Sequence, residues 1–295
     1  MERFAAIARQ INVQSGARCA PAPAAPVSGG GISQCYRWPA GAAQLFVKVA
    51  PGAAAAMFEA EAAGLLELAR ARALRVPRVL ASGSTGEAAF LALEWIEAGA
   101  PDAQCERRLG EGLAALHAVQ APRFGWTRDN TIGRTPQANA WADGWAQFFG
   151  ERRLRPQLRL ASANDMGEAL ALPGERLLEA LPVLLDGYAP VASLLHGDLW
   201  GGNWLATPKG EPVIFDPAVY YGDRETDLAM TRLFGGFGAP FYRAYEAISP
   251  PAPGARVRGQ LYQLYHVLNH ANLFGGGYVR QARGIIDWLL AQLRG

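Results

Sequence analysis

Apolar positions along this chain follow two different spacings. Up to about residue 97 they fall in short runs cut by Gly and Pro. Tyr36 to Pro39 and Gln44 to Val49 read as two strands joined at Pro39-Ala40-Gly41, and Val76 to Leu80 and Ala89 to Ile96 as two more. Two helices break this series, a short one from Ala5 to Asn12 and a long one from Ala53 to Arg72. On the long helix Met57, Glu61, Gly64, Leu65 and Leu68 share a face. Past the Gly99-Ala100-Pro101 break the spacing becomes helical. It predicts helices over Arg107 to Val119, around Trp145, Phe148 and Phe149, over Leu228 to Phe234, Gly259 to Phe274 and Ile285 to Leu293. The three aromatics of the second belong in the core. Strands first and helices after predict an α+β, bilobal chain: residues 1–97 a small β-rich lobe, residues 98–295 a larger, mainly helical one. The Ala- and Pro-rich stretch Arg18 to Pro26 is expected to be a flexible, solvent-exposed excursion.

Polar residues that interrupt these patterns carry the chemistry. His196-Gly197-Asp198-Leu199-Trp200-Gly201-Gly202-Asn203 is followed by an apolar run, Pro212 to Phe215, that ends in Asp216. A lone H-G-D is common in turns, and a lone Asp after a strand is usually a cap. In this order and spacing they match a phosphotransferase catalytic loop and its second metal-binding Asp. Asp198 can accept a hydroxyl proton. Asn203 and Asp216 offer hard oxygens to Mg²⁺. Glycines at 201 and 202 allow close backbone approach to phosphate or metal.

Lys48 interrupts an otherwise apolar strand and is expected to hold phosphate. Its partner is Glu61, which shares the buried face of the following helix, whereas Glu59 and Glu67 suit the solvated face. Gly30, Gly31 and Ser33, in the glycine-rich stretch before the first strand, would cover phosphates with main-chain amides. Backbone groups at Glu94, Trp95 and Ile96, where the lobes meet, would read an adenine edge. His117 is expected to be packed or capping. His270 lies on a largely buried stripe with Tyr262, His266, Asn269 and Phe274, near enough to the helix end to reach the site. Asp227 is placed to cap the helix from Leu228 and to brace the catalytic loop. The segment Phe124 to Trp141 is polar and aromatic rather than acidic, which suits a polyhydroxylated, weakly charged substrate.

Composition narrows the partners. With 28 basic and 26 acidic residues among 295, net charge is +2, which favours neither nucleic acid nor an anionic membrane surface. Half the residues are hydrophobic, enough for a substantial core. Cys19, Cys35 and Cys105 are odd in number and form no C-x-x-C pair, which fits a reducing compartment. The N-terminus lacks a signal-peptide h-region, and no uncharged apolar run reaches the ~18 residues of a membrane span. The expected location is the cytoplasm.

Taken together, the chain resembles the fructosamine/ketosamine 3-kinase family, within the kinase-like fold shared with aminoglycoside and choline phosphotransferases. The strings that carry the resemblance are Leu194 to Asn203, Phe215-Asp216-Pro217-Ala218, Gly222 to Met230, Pro136-Gln137-Ala138-Asn139, Leu268-Asn269-His270, Phe46 to Val49 and Met57 to Glu61. The resemblance implies ATP- and Mg²⁺-dependent phosphorylation of the sugar 3-hydroxyl of ketosamines, on small molecules or glycated proteins, by a monomer or weak homodimer. It implies Asp198 as base, Asn203 and Asp216 as Mg²⁺ ligands, Lys48 with Glu61 as phosphate clamp, and Trp200 shaping the sugar site. Some members carry a Cys in the phosphate loop where this chain has Gly31, with Cys35 a few residues later. Two alternatives stay open: a kinase of another small alcohol, such as an aminoglycoside or amino alcohol, and a nucleotide-binding pseudokinase.

Overall fold

A computed structural model describes residues 2–27 and 33–294. Gly30 and Gly31 lie outside the described residues; Ser33 lies within them.

Helix α1 (Glu2–Ser15) and strand β1 (Ala25–Val27) lead into the hairpin β2 (Gln34–Ala40) and β3 (Ala43–Pro51), then α2 (Ala55–Ala71), β4 (Val79–Ser84) and β5 (Ala88–Glu94). The five strands form one antiparallel sheet in the order β1-β2-β3-β5-β4. Side chains alternate faces along a strand. On β3, Leu45, Val47 and Val49 join Ile7, Ile11 and Trp38 under α1. Lys48 and Ala50 therefore face α2, where Phe58, Leu65 and Leu68 pack against Leu91 and Leu93. The apolar pattern of β3 thus fixes the side on which its lysine emerges.

Arg18 to Pro26 is not a free excursion. The Ala20 and Ala24 amides donate to the Pro39 and Arg37 carbonyls at 2.9 and 3.0 Å, and the Gly41 amide donates to the Arg18 carbonyl at 3.0 Å. The buried Trp38 indole N–H donates to the Ala20 carbonyl at 2.8 Å. The outer edge of β2 needs partners, and prolines are tolerated on an edge strand. Two expected strands also shift. Residues 76–78 form a connection, so β4 starts at Val79, and β5 stops at Glu94, short of Trp95 and Ile96.

The second part opens with α3 (Ala103–His117), capped by the Asp102 carboxylate, which accepts the Cys105 amide at 2.7 Å. Next come β6 (Gln120–Ala121) and the hairpin β7 (Asn130–Ile132) and β8 (Thr135–Gln137). Helix α4 (Trp145–Phe149) runs through wider π-type turns at Gly150–Leu154 into α5 (Arg155–Ala163), and α6 (Leu172–Leu184) comes after it. Then come β9 (Ala192–Leu195), the hairpin β10 (Trp204–Ala206) and β11 (Pro212–Ile214), and β12 (Tyr220–Gly222). The chain ends with α7 (Glu225–Thr231), α8 (Ala239–Ile248), α9 (Ala255–Phe274) and α10 (Gly277–Ala291). Strand β9 lies between β12 and β6. As expected, Trp145, Phe148 and Phe149 are core. Helices α7, α9 and α10 each begin earlier than the periodicity placed them. Among the described residues no helix is long and apolar enough to cross a membrane.

The sheet-rich and helical parts are stitched together beside β5. The Ile214 amide donates to the Arg75 carbonyl at 3.0 Å, and just past the join the Gly99 amide donates to the Ala206 carbonyl at 2.7 Å. The Arg75 guanidinium bridges Glu94 at 2.9 Å and Glu211 at 2.7 Å.

Candidate active site

Strand β9 delivers His196 into a tight turn. Gly197 there has φ +84°, and a Cβ on it would collide with the Ala218 carbonyl, so only glycine fits. One Asp227 oxygen accepts the His196 amide and the other the Gly197 amide, each at 2.8 Å. His117 Nε2 lies 3.1 Å from the same carboxylate, with its Nδ1 2.7 Å from the Tyr245 hydroxyl, so His117 is packed, as expected. Burial alone would raise the Asp227 pKa; these donors outweigh it and hold the carboxyl below its usual range. Asp227 braces the loop, but it does not cap the helix, because α7 starts two residues earlier. Its carboxylate is committed to the turn.

His196 ties the loop that carries Asp198 to the strand that leads to Asp216. Its Nδ1 accepts the Asp198 amide at 3.3 Å, so the proton sits on Nε2, which donates to the Phe215 carbonyl at 3.0 Å. The Asn203 side-chain amide donates to the Asp198 carbonyl at 2.8 Å and lies 3.3 Å from the Asp198 carboxylate. Asp216 adopts φ +56° just past β11, rare for a non-glycine residue, and presents its carboxylate to Lys48 Nζ at 2.6 Å. Glu61 holds the same ammonium at 2.7 Å from α2. Burial would push the Lys48 ammonium down, but Asp216 and then Glu61 outweigh it, and its pKa lies above the ordinary lysine range. Burial, reinforced by Asp216, pushes the Asp198 carboxyl well up.

One cavity of about 670 Å³ gathers Ser33, Lys48, Glu61, Asp198, Trp200, Asn203, Asp216 and His270. His270 Nδ1 donates to the His266 carbonyl at 2.8 Å, which leaves Nε2 as an acceptor. Phe234, Tyr278 and Phe274 surround its ring at centroid distances of 4.7, 5.1 and 5.6 Å, and Trp200 meets Phe234 at 6.1 Å. Glu94, Trp95 and Ile96 do not line this cavity. The Glu94 amide donates to the Arg78 carbonyl at 3.0 Å, and its carboxylate is held by Arg75 and Arg78. Trp95 lies beside Phe46 and donates its indole N–H to Glu97 at 2.8 Å.

A model of the fructosamine kinase family matches residues 3–292. The chain belongs to the fructosamine kinase family. A probable ketoamine kinase of Synechocystis is 47% identical to it over 288 residues, 96% of each chain. A chloroplastic protein-ribulosamine 3-kinase of Arabidopsis thaliana is 40% identical over 272 residues, 91% of this chain and 82% of that one. A solved structure from Thermobifida fusca, provisionally named fructosamine-3-kinase, superposes with TM-score 0.85 at 34% identity, covering 97% of this chain and 99% of that one. The aminoglycoside phosphotransferase APH(4)-Ia superposes with TM-score 0.61 at 17% identity over 90% and 92% of the two chains, a likeness of fold alone.

Two side-chain roles differ from those expected of the sequence. Glu67 is not a free surface charge: it accepts the Tyr221 hydroxyl at 2.9 Å and ties α2 to β12. The amides of Pro136-Gln137-Ala138-Asn139 do not form a substrate wall. Gln137 donates to Asn130 Oδ1 at 2.8 Å and to the Ala218 carbonyl at 3.1 Å, and accepts the Tyr265 hydroxyl at 2.7 Å. Asn139 accepts Arg153 Nη2 at 2.7 Å. Arg153 is fully buried with aromatic faces around it, Tyr220 at 4.0 Å and Phe148 at 4.7 Å. A buried amide must be paired, and here the pairing supports the chain just past Asp216. The residues that do line the cavity from this region are Asn130 to Arg134, part of the Phe124 to Trp141 segment that the sequence placed toward the substrate. The Gly-Arg pair between Ile132 and Thr135 was the available sign of a tight hairpin.

The donor set at 203 and 216 suits Mg²⁺. Asn203 spends its amide nitrogen on Asp198, which leaves Oδ1 for a cation, and Asp216 adds a hard anionic oxygen. Among the described residues no cluster of three His, Cys, Asp or Glu could hold a metal without help from a ligand such as phosphate.

Proposed function

We propose that this family member transfers the γ-phosphoryl group of ATP to the sugar 3-hydroxyl of ketosamines such as fructosamines, ribulosamines and erythrulosamines, free or protein-bound. The observation that carries the reading is the convergence of Asp198, Asn203, Asp216 and the Lys48–Glu61 pair in one cavity with an aromatic outer wall. The names of the relatives point to the same substrate class.

In this reading Asp198 accepts the proton of the attacking hydroxyl. A new oxygen–phosphorus bond forms as the bond to the ADP oxygen breaks. The raised pKa of Asp198 suits a proton acceptor. Lys48, held by Glu61, meets the phosphates, and Ser33 with Gly30 and Gly31 covers them. Asn203 and Asp216 would hold Mg²⁺, which would supply charge neutralisation on the phosphates when bound. Trp200 and His270 present flat faces and one ring-nitrogen acceptor to the sugar. Backbone at Glu94 to Ile96 takes the adenine, with residues 1–97 and 98–295 as the two lobes. The working form is a cytoplasmic monomer or weak homodimer, acting without nucleic acid or membrane. Among the described residues the outer wall carries none of the carboxylates that a polycationic aminoglycoside would call for.

The test is Mg²⁺-dependent ATP consumption with fructose-, ribulose- and erythrulose-derived lysine adducts and a glycated protein, with an aminoglycoside and choline as controls. NMR would locate the phosphate. Asp198→Asn should lower kcat by roughly 10²- to 10⁴-fold. Turnover confined to the aminoglycoside or choline, or absent on every acceptor while ATP still binds, would overturn the assignment.

A further inference from the structure

The tip of the β7–β8 hairpin holds a cation that phosphoryl transfer at Asp198 does not use. Asn130, Thr131 and Ile132 pair with Gln137, Pro136 and Thr135, which leaves Gly133 and Arg134 as a two-residue turn. The backbone of this turn is held at both ends. Asn130 donates to the Val219 carbonyl at 2.8 Å and Gln137 to the Ala218 carbonyl at 3.1 Å. Thr135 Oγ1 donates to Asn269 Oδ1 at 2.6 Å, and the Asn269 amide lies 3.4 Å from the Ile132 carbonyl. Asn269 precedes His270, so the turn is pinned beside the aromatic wall.

Arg134 lines the catalytic cavity and is exposed. Among the described residues its guanidinium has no ion pair, hydrogen bond or aromatic partner, unlike the cavity's other cation, Lys48, whose charge is taken by Glu61 and Asp216. The remaining acid of the cavity, Asp198, is bonded to Asn203. Glu59, on α2, is engaged by Arg128. The outer part of the cavity therefore carries an unspent positive charge and no carboxylate to meet it.

We propose that Arg134 recognises a carboxylate on the amine-derived part of the ketosamine, so that this chain favours glycated free amino acids over adducts whose carboxylate is capped. This deepens the ketosamine reading and rests on it. With the sugar hydroxyl at Asp198, the group beyond the sugar lies along the wall that His270 and the hairpin tip share. A guanidinium fork matches a planar carboxylate. A phosphate dianion on the sugar would call for a second free cation, and among the described lining residues there is none.

The test compares ketosamines of glycine and of Nα-acetyl-lysine, each as free acid and as carboxamide, on the parent enzyme and on Arg134→Met. The readout is the acid-to-amide ratio of kcat/KM in the parent divided by that ratio in the variant, which cancels intrinsic differences between ligands. A value of about fivefold or more for at least one acid with Arg134→Met, shrinking as salt rises and smaller with the charge-conserving Arg134→Lys, is the expected result. A value near one for both acids would overturn the proposal. So would a matching preference shown instead for a sugar 5-phosphate over the unphosphorylated sugar. If no ketosamine is phosphorylated, the kinase reading fails separately, and the same ratio of ratios is taken from calorimetric Kd values, judged by the same two outcomes.

Discussion

Asp227 accepts the main-chain amide of His196 at 2.8 Å, and through this bond helix α7 sets the direction of the turn before Asp198. Asp227→Asn keeps the shape but puts an amide donor against main-chain donors. A buried donor left unpaired costs about 1–3 kcal/mol. The expected outcome is a Tm lowered by several degrees and a kcat lowered by tenfold or more, with nucleotide Kd changed much less. Calorimetry and steady-state rates on the same preparation check this.

Lys48 and Glu61 should part company under substitution. Lys48→Met removes the cation between two carboxylates, so both the phosphate contact and the neutralisation of Glu61 and Asp216 are lost. A roughly 10- to 100-fold rise in the Kd for MgATP is expected, from the ~1.5–3 kcal/mol of a charged hydrogen bond. Glu61→Gln keeps the ammonium and should weaken MgATP binding less. Equal effects of the two changes would contradict the clamp.

Gly197→Ala puts a Cβ into the Ala218 carbonyl at a backbone angle that alanine avoids. The turn must shift, and Asp198 shifts with it. Activity should fall at least 100-fold, since small misplacement at a reacting centre is costly. A near-parental kcat would show that the turn is not constrained as described.

His266 gives the fold a pH signature. It is buried, its Nδ1 has no hydrogen-bond partner among the described residues, and burial lowers its pKa to about 3, with His270 adding to the effect, Asp227 opposing it and Arg153 adding to it. Between the ordinary value near 6.5 and 3, the unfolded chain holds a proton that the native chain does not. Stability present above pH 6.5 is therefore lost as pH falls through this window, by about 2 kcal/mol from pH 7 to 5. Asp223, raised by burial to about 6, acts in the opposite sense over part of the same range. The comparison that isolates His266 is parent against His266→Leu in denaturant titrations at pH 7 and 5: the variant should lose about 2 kcal/mol less on acidification. Parallel losses would contradict a neutral, buried His266.

The convergence of Asp198, Asn203 and Asp216 was legible because the spacing of their strings is itself the geometry: a turn, a short hairpin and an Asp after a strand. The Lys48–Glu61 pair was legible because two periodicities, of two on β3 and of 3.6 on α2, each name the face that turns inward. What escaped was set by distant demand. Nothing local in Arg18 to Pro26 announces that the edge of β2 and the Trp38 indole need its carbonyls and amides. Strands of three residues, as in β7 and β8, are too short to carry a period. Gln137 and Asn139 looked like ligand groups because an amide in sequence does not reveal whether protein or substrate will pair it. For Asp227 the brace was legible but the cap was not realised, because both carboxylate oxygens are taken by the His196 and Gly197 amides.

The two parts are fastened at more than one place. Ile214 bonded to Arg75 and one guanidinium straddling Glu94 and Glu211 fasten them beside β5, and Tyr221 bonded to Glu67 fastens α2 to β12. Lys48 adds a third fastening, because it takes one carboxylate from each part, Glu61 from α2 and Asp216 from just past β11. Its ammonium is thus a rivet as well as a charge: removing it takes away an attraction within the first part and one between the parts at the same time.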